Sequence, residues 1–267
     1  MYIDVHAHLT DKVFRQADKV MSEIRAAGVG LVICSGYDTD SSFASRDLAE
    51  KYDFVYFSAG FQPQELTKYK EGDLERIRAL SRHEKCLAVG EIGLDDHYPD
   101  NPPKELQKEL FVAQLRLADE EGLPVVIHSR DCAADTLSIL RENRQYLGHG
   151  GVLHCYSYAA DMVRDFEELG LYFSFGGTST YETAKKVQKS AARVSPERIL
   201  TETDSPYLTP VPKRGQFPNT PANIPFIAEN LARLRGETEA DFVRLVAENA
   251  ARLFKKLQPS FRRGGAS

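Results

Sequence analysis

The chain has 267 residues, of which 42% are hydrophobic and 27% are charged, and this composition excludes a disordered or fibrous protein. The formal net charge of −5 argues against a protein that wraps long duplex DNA, because attraction to phosphates supplies most non-specific affinity for DNA.

Short runs of β-branched and aromatic residues alternate along the chain with segments whose apolar residues recur every three or four positions, as at 13–27 and 106–117. The runs LVICSG and PVVIHS are almost continuously apolar, which is typical of parallel strands buried on both faces. Gly28, Gly122 and Gly170 are predicted to end three of the helices. The predicted strands span residues 2–6, 31–35, 54–59, 87–92, 124–128, 151–155, 172–175 and 199–203.

Eight strands alternating with helices predict an α/β fold, the (β/α)8 TIM barrel, since 267 residues over eight units give about 33 residues per unit. A doubly wound open sheet shows the same alternation. It would more often carry a glycine-rich dinucleotide loop after the first strand, where this chain has HAHLTD. We therefore predict a single barrel domain over residues 1–258 and a flexible tail at 259–267.

The four cysteines are scattered and form no CxxC pair, which indicates reduced thiols rather than a disulfide framework or a zinc knuckle. By strand alternation, Cys155 is expected to point away from the barrel axis as a small core residue. The N-terminus lacks a basic region followed by an apolar run, and no apolar run approaches the ~18 residues of a membrane span. The expected location is therefore the cytoplasm, with no membrane contact.

Six side chains suited to metal binding fall at the C-terminal ends of predicted strands or just beyond them. In a (β/α)8 barrel, that end of the strands forms the active-site face. His6 and His8 are two residues apart in a strand, so both imidazoles should point toward the barrel axis. A single strand histidine is more often an ordinary core or surface residue, but six such residues on five strands favour a metal site. The six are His6, His8, Glu91, His128, His154 and Asp204.

Six ligands exceed the need of one ion, because a catalytic zinc takes about three protein ligands and a water. They indicate two divalent ions about 3.5–4 Å apart with a bridging carboxylate. Four imidazoles favour zinc or manganese, and the carboxylates are also compatible with magnesium. Two such ions lower the pKa of a water molecule, and Asp204 is the candidate base for its proton.

Seven segments, in order and over nearly the whole chain, resemble motifs of the TatD family of metal-dependent hydrolases, within the amidohydrolase-like metal-dependent barrels. The resemblance implies that Glu91 bridges two metals and is catalytic together with Asp204. It also implies that the HAH histidines and Asp204 complete one metal site, that His128 and His154 complete the other, and that the activity is that of a deoxyribonuclease. The segments are DVHAHLT, AVGEIGLDDHY, LPVVIHSRD, GVLHCYS, GGTSTY, LTETDSPYLTP and ENAARLF.

Two segments depart from the family's pattern. Where the family has G-x-H-P-H, this chain has Gln62 and Gln64, which form hydrogen bonds but neither carry charge nor transfer a proton. Where the family has R-G-K-x-N-E-P, Arg214 and Asn219 remain in this chain, and the Lys and Glu positions have changed. Arg130, Arg214, Asn219 and Gln62 are the predicted substrate contacts, with the arginines clamping a phosphate. The alternative for either arginine is an ion pair at the barrel rim.

The favoured function is metal-dependent hydrolysis of DNA phosphodiester bonds, at DNA ends or in short single-stranded DNA. Metals and a few arginines suffice for such a substrate, whereas a net-acidic chain disfavours a large duplex footprint. The same site suits an amide, lactone or aminoacyl-ester hydrolase, and the loss of the HPH imidazoles favours that alternative. A non-catalytic metal-binding scaffold is the third possibility. Nothing in the sequence indicates an obligate protein partner.

Overall fold

A computed structural model describes residues 1–257 of the chain and confirms the predicted (β/α)8 barrel. Its strands are all parallel and form one sheet in the order β1 to β8, so that each strand pairs with the next one along the chain. The predicted tail at 259–267 lies outside the described residues. The strands are β1 (Tyr2–Ala7), β2 (Val29–Ser35), β3 (Val55–Ala59), β4 (Cys86–Asp95), β5 (Val125–Arg130), β6 (Gly151–Leu153), β7 (Leu171–Phe175) and β8 (Ile199–Thr201).

The helices pack around the sheet through their apolar faces. In the fourth helix, for example, Leu110, Phe111 and Leu115 are buried, as the three-and-four spacing predicts. Within residues 1–257, no helix combines the length and the apolar composition needed to cross a membrane. The helices are α1 (Ala17–Ala26), α2 (Thr39–Lys51), α3 (Asp73–Ser81), α4 (Lys104–Glu120), α5 (Ala133–Glu142), α6 (Val163–Glu167), α7 (Lys185–Arg193), α8 (Ile224–Arg235) and α9 (Glu239–Leu253).

The barrel closes where β1 meets the segment that follows β8. The Asp204 amide donates to the carbonyl of His6 at 3.0 Å, and the His8 amide donates to the carbonyl of Ser205 at 2.7 Å. The buried carboxylate of Asp4 accepts from the Thr203 amide at 3.0 Å and from the Thr203 hydroxyl at 2.5 Å. These hydrogen bonds form a seam between β1 and the segment after β8. The seam joins the first and last strands of the barrel near His6 and Asp204.

Several element boundaries differ from the sequence-based prediction. The predicted strands at 151–155 and 199–203 end early, at Leu153 and Thr201, whereas β4 continues to Asp95 and β5 to Arg130. Glu91 and His128 therefore lie inside strands and not at their ends. The first helix begins at Ala17, not at residue 13.

The glycine positions agree with the prediction. Gly28, Gly122 and Gly170 have φ of +80°, +69° and +82° just after α1, α4 and α6, which is the left-handed conformation of helix caps. Gly93 is needed for another reason. With φ of +141°, a Cβ there would lie 1.9 Å from the carbonyl oxygen of His128. Only glycine lets β4 and β5 approach this closely beside that histidine.

Candidate metal centre

Four donor atoms converge at the C-terminal mouth of the barrel, beside the seam. The Nε2 atoms of His6 and His8 are 3.2 Å apart, and each lies 3.6 Å from Oε2 of Glu91. Oδ1 of Asp204 lies 3.7 Å from Nε2 of His6 and 3.5 Å from Nε2 of His8. Donors bound tetrahedrally at about 2.0–2.2 Å from an ion are about 3.3–3.6 Å apart. The five spacings above are close to this range.

Three further donor atoms meet on the other side of Glu91. Its Oε1 lies 2.9 Å from Nδ1 of His128 and 3.0 Å from Nε2 of His154, and those two nitrogens are 3.0 Å apart. The rings of His6 and His154 are stacked with centroids 3.9 Å apart, so both groups share one cavity. The two oxygens of Glu91 thus face different sets of imidazoles.

The outer nitrogens of His8 and His128 have hydrogen-bond partners that set which nitrogen is free. Nδ1 of His8 lies 3.1 Å from the carbonyl oxygen of Ser35, which only accepts, so Nδ1 holds the proton and Nε2 presents a lone pair. Nε2 of His128 likewise donates to Oδ2 of Asp95 at 2.9 Å. Such partners orient metal-binding imidazoles. Nδ1 of His6 is 3.0 Å from the Ser35 hydroxyl, which can donate or accept, and Nδ1 of His154 lies 3.8 Å from Oε1 of Glu202, beyond hydrogen-bond distance.

The electrostatics of the cavity favour a cation beside Glu91. Burial opposes ionisation of Glu91, but the imidazoles of His154 and His128 outweigh it and hold the pKa of Glu91 well below its usual value. Burial also opposes charge on His154, yet Glu91 and Glu202 raise the pKa of His154 well above its usual value. Burial lowers the pKa of His6, and so keeps that imidazole neutral. Positive charge is therefore held near Glu91 even without an ion.

One buried atom tests whether the residues fit a metal. Oε2 of Glu91 is buried and has no hydrogen-bond donor, although Glu91 is only 2% exposed. A buried acceptor left without a partner costs about 1–3 kcal/mol. Because this oxygen lies 3.6 Å from Nε2 of both His6 and His8, a cation among the three atoms would satisfy it. The donor set therefore fits a divalent metal.

Comparison with known proteins identifies the family. The sequence model described as "TatD related DNase" matches residues 3–255. The chain belongs to the TatD family. The protein named "Uncharacterized metal-dependent hydrolase YabD" from Bacillus subtilis is 37% identical over 256 residues, which cover 96% of this chain and 99% of YabD. The Cronobacter sakazakii protein named "3'-5' ssDNA/RNA exonuclease TatD" is 33% identical over 258 residues, which cover 95% of this chain and 97% of the relative.

A solved TatD structure has the same fold. The crystal structure of YJJV, a TatD homolog from Escherichia coli K12, superimposes with a TM-score of 0.90 at 31% identity, over 95% of this chain and 98% of that one. Together with the relatives, it confirms the prediction of a metal-dependent hydrolase. It leaves the non-catalytic scaffold without support.

The two arginines of this TatD chain are held by aromatic rings. The Arg130 guanidinium lies over the Tyr98 ring, 5.1 Å from its centroid, and Arg214 lies over the Tyr181 ring at 4.1 Å. Within residues 1–257 neither arginine is paired with a carboxylate, so the alternative of a rim ion pair is not what the structure shows. Both belong to the mouth of the barrel, Arg130 at the end of β5 and Arg214 in the loop after β8.

The predicted substrate contact Asn219 forms hydrogen bonds within the protein. Asn219 is buried, and its amide donates to the carbonyls of Thr203 at 3.1 Å and Tyr207 at 2.6 Å. Its oxygen accepts from the Thr220 amide at 2.9 Å and from Asn223 at 2.8 Å. Since every polar atom of this side chain has an internal partner, we withdraw Asn219 as a substrate contact and regard it as a support of the loop.

The third-strand glutamines also have separate positions. Gln62 is half-buried, and its backbone amide donates to the carbonyl of Tyr37 at 3.0 Å. Gln64 donates its amide to Oδ2 of Asp95 at 3.0 Å, the oxygen that also accepts from His128. Gln64 therefore contacts Asp95, the carboxylate that accepts from the candidate metal ligand His128. The sequence did not predict this contact.

The prediction for Cys155 is wrong. Cys155 has φ of +47° and lies beyond the end of β6, so strand alternation does not apply to it. Burial, and then the carboxylates of Glu202 and Asp204, raises the pKa of its thiol well above the usual value. Cys155 is also only partly buried, and therefore does not have the position of a small core residue in a strand.

Proposed function

We propose that this TatD-family chain hydrolyses the phosphodiester bonds of DNA ends or short single-stranded DNA, with two divalent ions held by the six predicted ligands. The observation that carries the proposal is the position of the Glu91 carboxylate, whose two oxygens each face a separate group of donor nitrogens. His6, His8 and Asp204 would hold one ion with Glu91. His128 and His154 would hold the other. Zinc or manganese suits the imidazoles best, and magnesium is compatible with the carboxylates.

When bound, two such ions would supply electrostatic stabilisation of the developing negative charge and a water of lowered pKa. Glu91 is only 2% exposed and would serve as a fixed anion. The Asp204 side chain is 17% exposed and sits at the edge of the same cavity. Asp204 is therefore the group suited to take a proton from water as the P–O bond breaks and to pass it to the leaving oxygen.

Substrate phosphates would meet the two ring-stacked guanidiniums. Stacking holds the planes of Arg130 and Arg214 in place while leaving their N–H edges for bidentate contact with phosphate oxygens. A nucleic-acid substrate also agrees with the printed name of the Cronobacter sakazakii relative. All four cysteines are unpaired, which is consistent with the predicted cytoplasmic location.

The test combines metal analysis with a DNA degradation assay. We expect two equivalents of metal per chain, and a fall in kcat of about 10²- to 10⁴-fold in Asp204→Asn. Asp131→Asn is the matched control, since Asp131 is a rim carboxylate that pairs with His97 at 2.7 Å outside the cluster. A wild-type protein that binds two ions but degrades no DNA would contradict the proposal.

A carbonyl hydrolase is the second candidate, and one observation favours it. In the loop after β3, Gln64 replaces the family's histidine, and its side-chain amide is already bonded to Asp95. An amide, lactone or aminoacyl ester needs less positive charge than a phosphodiester. A panel of one ester, one lactone and one DNA oligonucleotide, each with zinc, manganese or magnesium, separates the two functions by which substrate is turned over.

A further inference from the structure

The exposed apolar side chains of this protein gather at one end of the barrel. Among residues 1–257, six large hydrophobic side chains are exposed, and one of them is the first residue, Met1. The other five lie in loops that follow β1, β4 and β8, which is the end where the candidate metal centre lies. A concentration of apolar surface around a site marks it as a place of contact. The five are Val13, Tyr98, Tyr207, Val211 and Phe217.

Two of the rings form a pair beside the metal centre. Tyr207 and Phe217 are 53% and 63% exposed, and their ring centroids are 6.5 Å apart with planes tilted by 40°. The Tyr207 amide donates to the Asp204 carbonyl at 2.9 Å, so this pair is tied to the turn that carries a candidate ligand. Tyr98 follows β4 at the same end of the barrel.

Cationic groups flank these rings. The Arg130 guanidinium lies over the Tyr98 ring, and its Nη1 is 3.3 Å from the Tyr98 hydroxyl. Arg214 lies over Tyr181 in the same loop system as Phe217. Exposed aromatic faces alternating with arginines are the combination that binds unpaired nucleic acid, because each base has a face to stack and each phosphate has a charge to pair. A purely apolar partner would have no use for the arginines.

We propose that Tyr98, Tyr207 and Phe217 form a base-stacking platform at the barrel mouth, which binds the unpaired bases next to the phosphodiester at the metal centre. This inference rests on the proposed nuclease function and adds to it the feature that selects single strands. Bases in a duplex are stacked on each other and offer no free face to these rings. Arg130 and Arg214 would pair with the phosphates between the stacked bases.

A tryptophan reporter tests the platform directly. The chain has no tryptophan, so Phe217→Trp introduces a single indole at the proposed stacking position. In metal-free buffer, where no turnover occurs, we expect a single-stranded oligonucleotide to quench the emission of this indole. An oligomer of equal charge that carries base-free sugars should leave the emission unchanged. Equal responses to both oligomers would show that charge alone draws the strand, and would overturn the platform.

Binding and kinetic measurements on truncated rings provide the second test. We expect Phe217→Ala to raise the Kd and KM for single-stranded DNA about 5- to 150-fold, the loss of one stacked base, with kcat little changed. Tyr207→Phe keeps the ring and should bind like the wild type. Val211→Ala is the matched control, since Val211 is an exposed apolar residue of the same loop but has no ring. Because Phe217 is 63% exposed, its truncation should not disturb folding.

The outcomes separate the platform from the nuclease function. If the wild type cleaves DNA and Phe217→Ala binds single strands unchanged, the platform alone is refuted. If the wild type neither binds nor cleaves DNA with any of the three metals, both proposals fail. A concentration-dependent dimer that Phe217→Ala dissociates, with DNA binding intact, would assign the rings to self-association and also refute the platform.

Discussion

Replacing Asp95 with asparagine should weaken the ion near His128 and spare the ion near His6. Asp95 is fully buried, and its carboxylate accepts four hydrogen bonds. Its Oδ2 accepts from His128 at 2.9 Å and from Gln64 at 3.0 Å. Its Oδ1 accepts from the His97 amide at 2.8 Å and from Asn101 at 2.9 Å. An asparagine has one oxygen and one NH2 group, so it can serve only one of these two pairs.

Each orientation of the new amide has its own cost. If the NH2 replaces Oδ1, it faces the backbone N–H of His97, and the unpaired buried donor destabilises the fold by about 1–3 kcal/mol. If the NH2 replaces Oδ2, His128 must move its proton to Nδ1, which lies 2.9 Å from Oε1 of Glu91 where the ion would bind. Losing such a support typically lowers metal affinity about 10- to 100-fold, or about 1.4–2.7 kcal/mol.

The assay is a competitive metal titration together with thermal unfolding of the metal-free protein. One of the two ions should bind Asp95→Asn about 10- to 100-fold more weakly, or the metal-free Tm should fall. Asp96→Asn is the matched control, because Asp96 is the next residue and pairs with Lys104 at 2.7 Å at the surface. If both metal affinities and the metal-free Tm stay at wild-type values, the orientation of His128 by Asp95 is wrong.

Three smaller changes test other contacts. Gln64→Leu removes only the neutral donor to the same carboxylate, so the titration should show less than about a tenfold loss at that ion. Asn219→Ala leaves buried carbonyls of its loop unpaired and should cost about 2 kcal/mol, a fall in Tm of about 4–8 °C by calorimetry. Arg82 and then Arg78 lower the pKa of Glu121 to about 2, whereas an unfolded carboxyl titrates near about 4.3. The stabilisation from this ion pair is fully present above the unfolded pKa of about 4.3, and it is lost as the pH falls toward the folded pKa of about 2. Glu121→Gln should therefore lower the urea-derived free energy of unfolding by about 1 kcal/mol at pH 7, and the difference should shrink at pH 3.

The fold was predictable because one periodicity governs most of the chain. Continuous apolar runs with helical segments between them leave a parallel sheet as the consistent arrangement, and the length per unit suits a closed barrel. The convergence of the six candidate ligands followed from position alone, since all lie toward one end of their strands. The endpoints of strands were not predictable. Cys155 and Asp204 take positive φ, +47° and +51°, so the chain leaves the strand conformation at these residues. The residue types around them still predicted that the strands continue.

The error in the length of β4 explains why Asp95 was not predicted from the sequence. Asp95 is four residues after Glu91, and both lie on the same side of a continued strand because side chains alternate. Ending the predicted strand at residue 92 removed Asp95 from consideration, whereas β4 in fact runs to Asp95. Glu202 was missed for another reason, because it lies inside the predicted strand 199–203. It stands two residues before Asp204, just beyond the end of β8, is fully buried, and its Oε1 lies 3.8 Å from Nδ1 of His154. A second carboxylate close in sequence to a predicted ligand was the available signal.

The glutamines that replace the family's histidines illustrate how a sequence difference changes meaning once its contacts are known. From sequence, Gln62 and Gln64 appeared as altered substrate contacts, and their lack of charge put phosphate binding in question. In the structure, the Gln64 side-chain amide donates to Asp95, and Asp95 also accepts a hydrogen bond from Nε2 of His128. An amide can support that carboxylate as a neutral donor at any pH, whereas an imidazole would do so with a charge that depends on pH. The Gln64 replacement should therefore act first on the affinity of the ion at His128. In the proposed nuclease function, Arg130 and Arg214 would contact the substrate's phosphates.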